Sequence, residues 1–184
     1  MTGDYATFSC SQDLNFTGSD LRAYIASGFN KATSQVLLTR VYDVPAGTGV
    51  FLVGEPSTTY KIPYAETSSC YYLNLFQANL QESTVAATTG NYSNYIFVDQ
   101  DDAPGFYPIV NELTLQAQTA YLQLPSSFVS ADVIEFVFEE DVIDGIEEFS
   151  ISDNDETIYD LAGRRLGKTQ RGVNIVNGRK VVIK

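Results

Sequence analysis

Short runs of β-branched and aromatic residues, each closed within a few positions by Gly, Pro, Ser, Thr or Asp, set what this 184-residue chain can fold into. Runs at 36–42, 49–53, 60–63, 93–98 and 119–124 have the length and residue types of strands. Turn formers return about every eight to twelve residues, the rhythm of a sandwich or barrel. The best helix candidate, Leu21 to Ala26, contains Tyr24 and Ile25, which favour a strand. Phe106-Tyr107-Pro108-Ile109 reads as an edge strand, because proline cannot donate to a central ladder. Residues 133–138 close this part of the chain. The pattern predicts an all-β fold, an antiparallel β-sandwich or partly open barrel.

A weak repeat runs through it. Ala46 and Thr48 recur as Ala117 and Thr119, and Tyr24-Ile25 recurs as Tyr95-Ile96, all at an offset of 71. Four identities at one register are compatible with two related halves of one domain, each built as strand, loop, strand, tight turn and strand. The period is longer than a solenoid repeat.

Charge divides the chain differently. From Thr157 onward, seven cations (Arg164, Arg165, Lys168, Arg171, Arg179, Lys180 and Lys184) face one acid, Asp160, giving +6. The first 156 residues hold four cations and 22 acids, giving −18. With the turn-rich acidic stretch 144–156 as connection, this predicts an acidic β-sandwich-like module over 1–146 and a basic β tail over 147–184. Asn177-Gly178 lies between two strand-like runs, the preferred signal for a two-residue hairpin turn. Thr157–Leu161 and Arg164–Leu166, joined by Ala162-Gly163, predict a second hairpin.

The chain has no His, which removes Ser-His and Cys-His triads and every His-containing metal site. The net charge of −12 argues against a nucleic-acid or anionic-membrane partner. No apolar run is long enough to span a bilayer as a helix, and the first residues lack the pattern of a signal peptide. Cys10 and Cys70 permit one disulfide without demanding it; two buried thiols are the favoured reading.

The segments 5–8, 21–25, 44–52 and 119–122 resemble a β-rich module of Bacteroidetes secreted and cell-surface proteins, often appended to leucine-rich-repeat, immunoglobulin-like or hydrolase domains. The stretch 138–148 resembles that family's exit linker. The tail, with Arg164, Arg165, Arg171, Gly172, Asn177 and Gly178, resembles the C-terminal sorting domain of those proteins, though Asn174 stands where the family usually has an aromatic. The resemblance implies a secreted or outer-membrane location and a tail recognised by export machinery or used for anchoring.

Three constellations remain. Asp99, Asp101 and Asp102 sit in a Gly/Pro loop and offer the hard oxygen ligands calcium takes, without EF-hand spacing. Paired carboxylates suit a small glycoside hydrolase, but with 22 acids some pair lies at the required separation by chance, and no Trp supplies a sugar platform. Tyr64, Tyr92, Tyr95 and Tyr107 offer flat apolar rings with hydroxyls, suited to glycan or protein contact. The expectation is a non-enzymatic accessory module for binding, adhesion or presentation, without a cofactor, and with an extracellular protein or glycan as partner. The alternative is a carbohydrate-binding module serving a hydrolase.

Overall fold

The structure is a computed structural model that describes residues 3–66, 71–99, 103–128 and 132–139, together with the backbone of four later strands. It divides into two compact units, Met1–Gly145 and Ile146–Lys184. Strand is the regular structure of both.

In the first unit the sheets follow from alternation. β13 (Thr119–Pro125) alternates buried with half-buried positions throughout and β4 (Gln35–Val41) does so over its first five residues, so each presents one face inward there. Sheet 1 has the order β1 (Tyr5–Ser9), β6 (Gly49–Val53), β3 (Arg22–Asn30), β4, β14 (Glu135–Phe138). Sheet 2 has the order β11 (Gly105–Pro108), β10 (Tyr92–Val98), β13, β7 (Phe76–Asn79), with β9 (Thr88–Thr89) also paired to β10. Two ribbons stand beside them, β2 (Leu14–Asn15) with β5 (Asp43–Val44) and β8 (Ser83–Ala86) with β12 (Glu112–Leu115). All pairings are antiparallel except β14 with β4.

The repeat anticipated from four identities is present in the topology. The order β1-β6-β3-β4 recurs as β7-β13-β10-β11, and β2-β5 recurs as β8-β12. Tyr24 pairs with Phe51, and Tyr95 pairs with Leu122, each member displaced by 71. The turn before β6 places Gly47 at φ 75°, and the turn before β13 places Gln118, again 71 residues on, at φ 61°. A side chain in that left-handed region costs on the order of 1 kcal/mol, which glycine avoids.

The two sheets enclose one core. Tyr24, Ala26, Val36, Leu38, Phe51 and Val53 meet Phe76, Tyr95, Phe106, Leu122, Leu124 and Ile134. Phe51 is its centre, with ring centroids 4.9 Å from Phe97, 5.1 Å from Phe136, 5.5 Å from Tyr5 and 5.8 Å from Phe106. One side of the sandwich is bridged where Ile134 pairs with Phe106 of β11 before the chain enters β14 at the edge of sheet 1. At the other side Ser9 donates its amide to Gln118 O at 3.1 Å and its hydroxyl to Thr119 O at 2.7 Å. Asn74 ties the halves together: its carboxamide oxygen accepts from Ala26 N and Phe76 N, and its nitrogen donates to Gly49 O.

Two expectations need correction. Residues 60–63 form no strand, and neither do residues 71–73, which with Cys70 make a strand-like run in the sequence. The first of these lies in a strap over sheet 1, held by Asn15 N to Pro63 O, Ala65 N to Asp13 O and a single bridge from Tyr64 to Leu14, so its few backbone bonds go to the short β2 and the residue before it. Cys10 is a half-buried free thiol; Cys70 lies outside the described residues.

The second unit is a four-stranded antiparallel sheet in the order β16 (Arg165–Leu166), β15 (Ile158–Asp160), β17 (Gly172–Val176), β18 (Arg179–Ile183). Val176 pairs with Arg179, leaving two residues between them, and Tyr159 pairs with Arg165. Both expected hairpins are therefore present in the backbone pairing.

Candidate functional site

The two sheets differ on their outer faces. On sheet 1 the outward residues Ala23, Ile25, Val41, Val50 and Leu52 are buried, together with Leu14, Phe16 and Leu21 from the segment before β3. Tyr60 and Ile62 of the strap, and Tyr72 beyond it, pack on the same cluster. Gly54 lets the strap leave β6: a Cβ there would lie 2.8 Å from Leu21 Cδ1 and 2.9 Å from the Tyr60 hydroxyl oxygen. That hydroxyl oxygen accepts from Glu55 N at 2.6 Å.

The matching stretch after β13 goes elsewhere, to the Ile134 bridge and β14. The outer face of sheet 2 consequently has no strap among the described residues, and only the β8-β12 ribbon stands beside it. Because Phe106, Tyr95 and Leu122 point inward, their neighbours Tyr107, Ile96 and Tyr121 point outward. Tyr107 pairs with Ile96, Ile96 lies one step beyond the Tyr95–Leu122 pair and so beside Tyr121, and Tyr121 pairs with Gln77. The row Tyr107–Ile96–Tyr121–Gln77 thus crosses four adjacent strands, every member half-buried.

Hydrogen bonds stiffen this platform within the outer face itself, where Asn94 stands beside Ile96 and Gln123. Buried Asn94 donates to Ala86 O and Thr89 Oγ1, each at 2.9 Å, and accepts from Gln123 Nε2 at 2.9 Å. Tyr107 donates its hydroxyl to Ala103 O at 3.0 Å. Burial pushes the Tyr121 hydroxyl above its ordinary pKa.

Two further concavities lie on sheet 1. A recess of about 330 Å³ opens between the strap and the sheet, lined by Phe8, Leu14, Phe16 and Leu52 with Tyr60, Tyr64 and Cys10. A polar cleft of about 550 Å³ brings Asp4, Asp20 and Glu55 around Arg22.

The tyrosines expected to bind do not form one cluster. Tyr64 is 69% exposed on the strap of sheet 1, while Tyr92, 45% exposed, and Tyr107 belong to sheet 2. Tyr95 is 4% exposed and packs between the sheets, so its ring is closed to a ligand. It was grouped with its neighbours by sequence proximity, and strand alternation places it on the opposite face from Ile96. Tyr121, Gln77 and Gln123 were missed. Carrying the offset of 71 from Val50 and Leu52 would have located Tyr121 and Gln123 as face residues.

Asp99 is exposed; Asp101 and Asp102 lie outside the described residues. Among the described residues, no group of three His, Cys, Asp or Glu is placed to hold a metal ion. In the tail, Arg165 and Gly172 lie in β16 and β17, whereas Arg164, Arg171, Asn177 and Gly178 lie outside the described residues. No described helix is long and apolar enough to cross a membrane. No protein-family model matches the chain, and no curated protein or solved structure matches it either.

Proposed function

We propose that this chain is a non-enzymatic binding module of a secreted or cell-surface protein. The acidic unit carries the ligand surface, and the basic β-sheet unit is a sorting or anchoring tail. The observation that carries the first half of this reading is the open outer face of sheet 2, set against the covered face of its structural twin. A sheet face without a cover among the described residues, with half-buried aromatic side chains held in a row by the strands beneath, is a rigid contact surface. The resemblance of the tail to sorting domains, and its opposite charge, support the second half.

The second half is tested by expressing the protein in its native host with and without residues 147–184 and shaving intact cells with protease. The expected result is loss of surface exposure in the shortened form, while that form still melts cooperatively. Persistent exposure would remove the sorting role.

A further inference from the structure

The reading of sheet 2 as a binding surface leaves its ligand unnamed, and the internal repeat narrows the choice. In sheet 1 the row equivalent to Tyr107–Ile96–Tyr121–Gln77 is Thr39–Ile25–Val50–Phe8, set by the pairs Ile25–Thr39 and Phe8–Val50. Ile25, Val50 and Phe8 belong to the apolar cluster beneath the strap. An apolar cover therefore goes with aliphatic and phenylalanine side chains. Where the described residues form no strap, Val50 becomes Tyr121, Leu52 becomes Gln123, Ala23 becomes Asn94, and the residue paired with Val50 becomes Gln77 rather than Phe8.

From this exchange we infer that the face binds a neutral saccharide chain, on the binding-surface reading above. Tyr107 and Tyr121 stand two strands apart, about 10 Å at ordinary strand spacing, close to the reach of a disaccharide. Each ring can take the C–H face of one sugar, with a hydroxyl at its edge. The carboxamides of Gln77 and Gln123 flank the same row and suit hydroxyl groups, as donor and acceptor at once. An apolar side chain laid there would cover the Gln77 carboxamide and the part of the Gln123 carboxamide not bonded to Asn94 without offering them hydrogen bonds, which is costly. The ligand is neutral because the first 156 residues carry −18, which repels uronic acids and sulfate esters.

The test uses the full chain in native gels cast with soluble neutral polysaccharides (a β-glucan, an α-glucan, a xylan and a galactomannan), with dextran sulfate as the anionic comparison. Retarded migration is expected in at least one neutral gel and not in dextran sulfate. Tyr107→Ala and Tyr121→Ala should each weaken that retardation about ten-fold, the loss of one interface anchor. Tyr121→Phe should keep most of it, and Tyr42→Ala, altered at an exposed ring on β4's exit, should keep all of it; thermal melts confirm that each variant folds. No retardation in any neutral gel, or retardation that ignores both tyrosines, overturns the saccharide assignment.

A second arm separates that failure from failure of the surface itself. Wild type and the Tyr107→Ala, Tyr121→Ala double variant are captured on plates coated with extracellular glycoprotein, intact or periodate-oxidised. Capture that needs both tyrosines and is lost on oxidation supports the proposal. Capture that needs them but survives oxidation overturns the saccharide and leaves the face as the binding surface. Capture indifferent to both tyrosines overturns the face as well.

Discussion

Substitutions at equivalent positions of the two halves measure the packing against the outer faces. Phe51 and Leu122 are equivalents, both fully buried between the sheets and paired with Tyr24 and Tyr95 respectively. Deleting a buried Phe side chain to Ala costs about 3–5 kcal/mol. Phe51 also has five ring neighbours within 6.5 Å, contacts that put it at the upper end of that range. Phe51→Ala should therefore cost about 5 kcal/mol, and Leu122→Ala about 3 kcal/mol. Against a domain stability on the order of 5–15 kcal/mol, the first is a large fraction of the whole. At about 3 °C per kcal/mol for a unit of this size, the melting temperature falls by roughly 15 °C and 9 °C. Tyr121→Ala, one residue from Leu122 but on the open face, should cost about 1 kcal/mol, near the ordinary range for surface changes. The assay is urea unfolding followed by circular dichroism, with m-values compared to confirm that one cooperative transition persists. If Tyr121→Ala costs as much as Leu122→Ala, the outer face of sheet 2 is covered and the reasoning fails.

Other consequences are more local. Asn94→Ala leaves the Ala86 carbonyl and the Gln123 amide without their buried partner and should cost about 2 kcal/mol in the same unfolding assay. Gly49→Ala brings a Cβ to 3.0 Å from the Cβ atoms of Ala120 and Phe76, groups that cannot swing aside, and should destabilise by about 1–3 kcal/mol rather than stabilise. Burial raises the hydroxyl pKa of Tyr95, with a hydrogen bond to the Ser93 side chain offsetting part of the shift, and burial raises that of Tyr121. The unfolded chain then loses these protons first, so stability is full below about pH 10 and declines as pH rises through the folded values. Unfolding titrations on the alkaline side should show that decline, and Tyr95→Phe should flatten it.

How much of this was legible in the sequence depends on how far apart the deciding residues lie. The strands 49–53, 93–98 and 119–124 announce themselves locally, and the structure has them within β6, β10 and β13. β7 gives little signal of its own in Phe76–Asn79, yet the offset of 71 applied to Tyr5 lands on Phe76, where β7 begins. The strap was misread because Tyr60 and Ile62 alternate like a strand while packing on a cluster contributed mainly by 14–52. β14 was expected as the closing strand, but its parallel partner lies 100 residues away, Gln35 against Glu135, which no local pattern records. The open face was beyond reach for the same reason: it exists because residues 134–138 go to the far edge of sheet 1.

The account stands or falls on one contrast, a covered outer face in the first half and an open one in the second. Hydroxyl-radical footprinting of the free protein, read by peptide mass spectrometry, measures it residue by residue. Tyr107, Ile96 and Tyr121 should be modified readily, while Ile25, Leu52 and Tyr95 stay protected. Equal protection of Ile96 and Ile25, the same residue at the same position of the two halves, would contradict it.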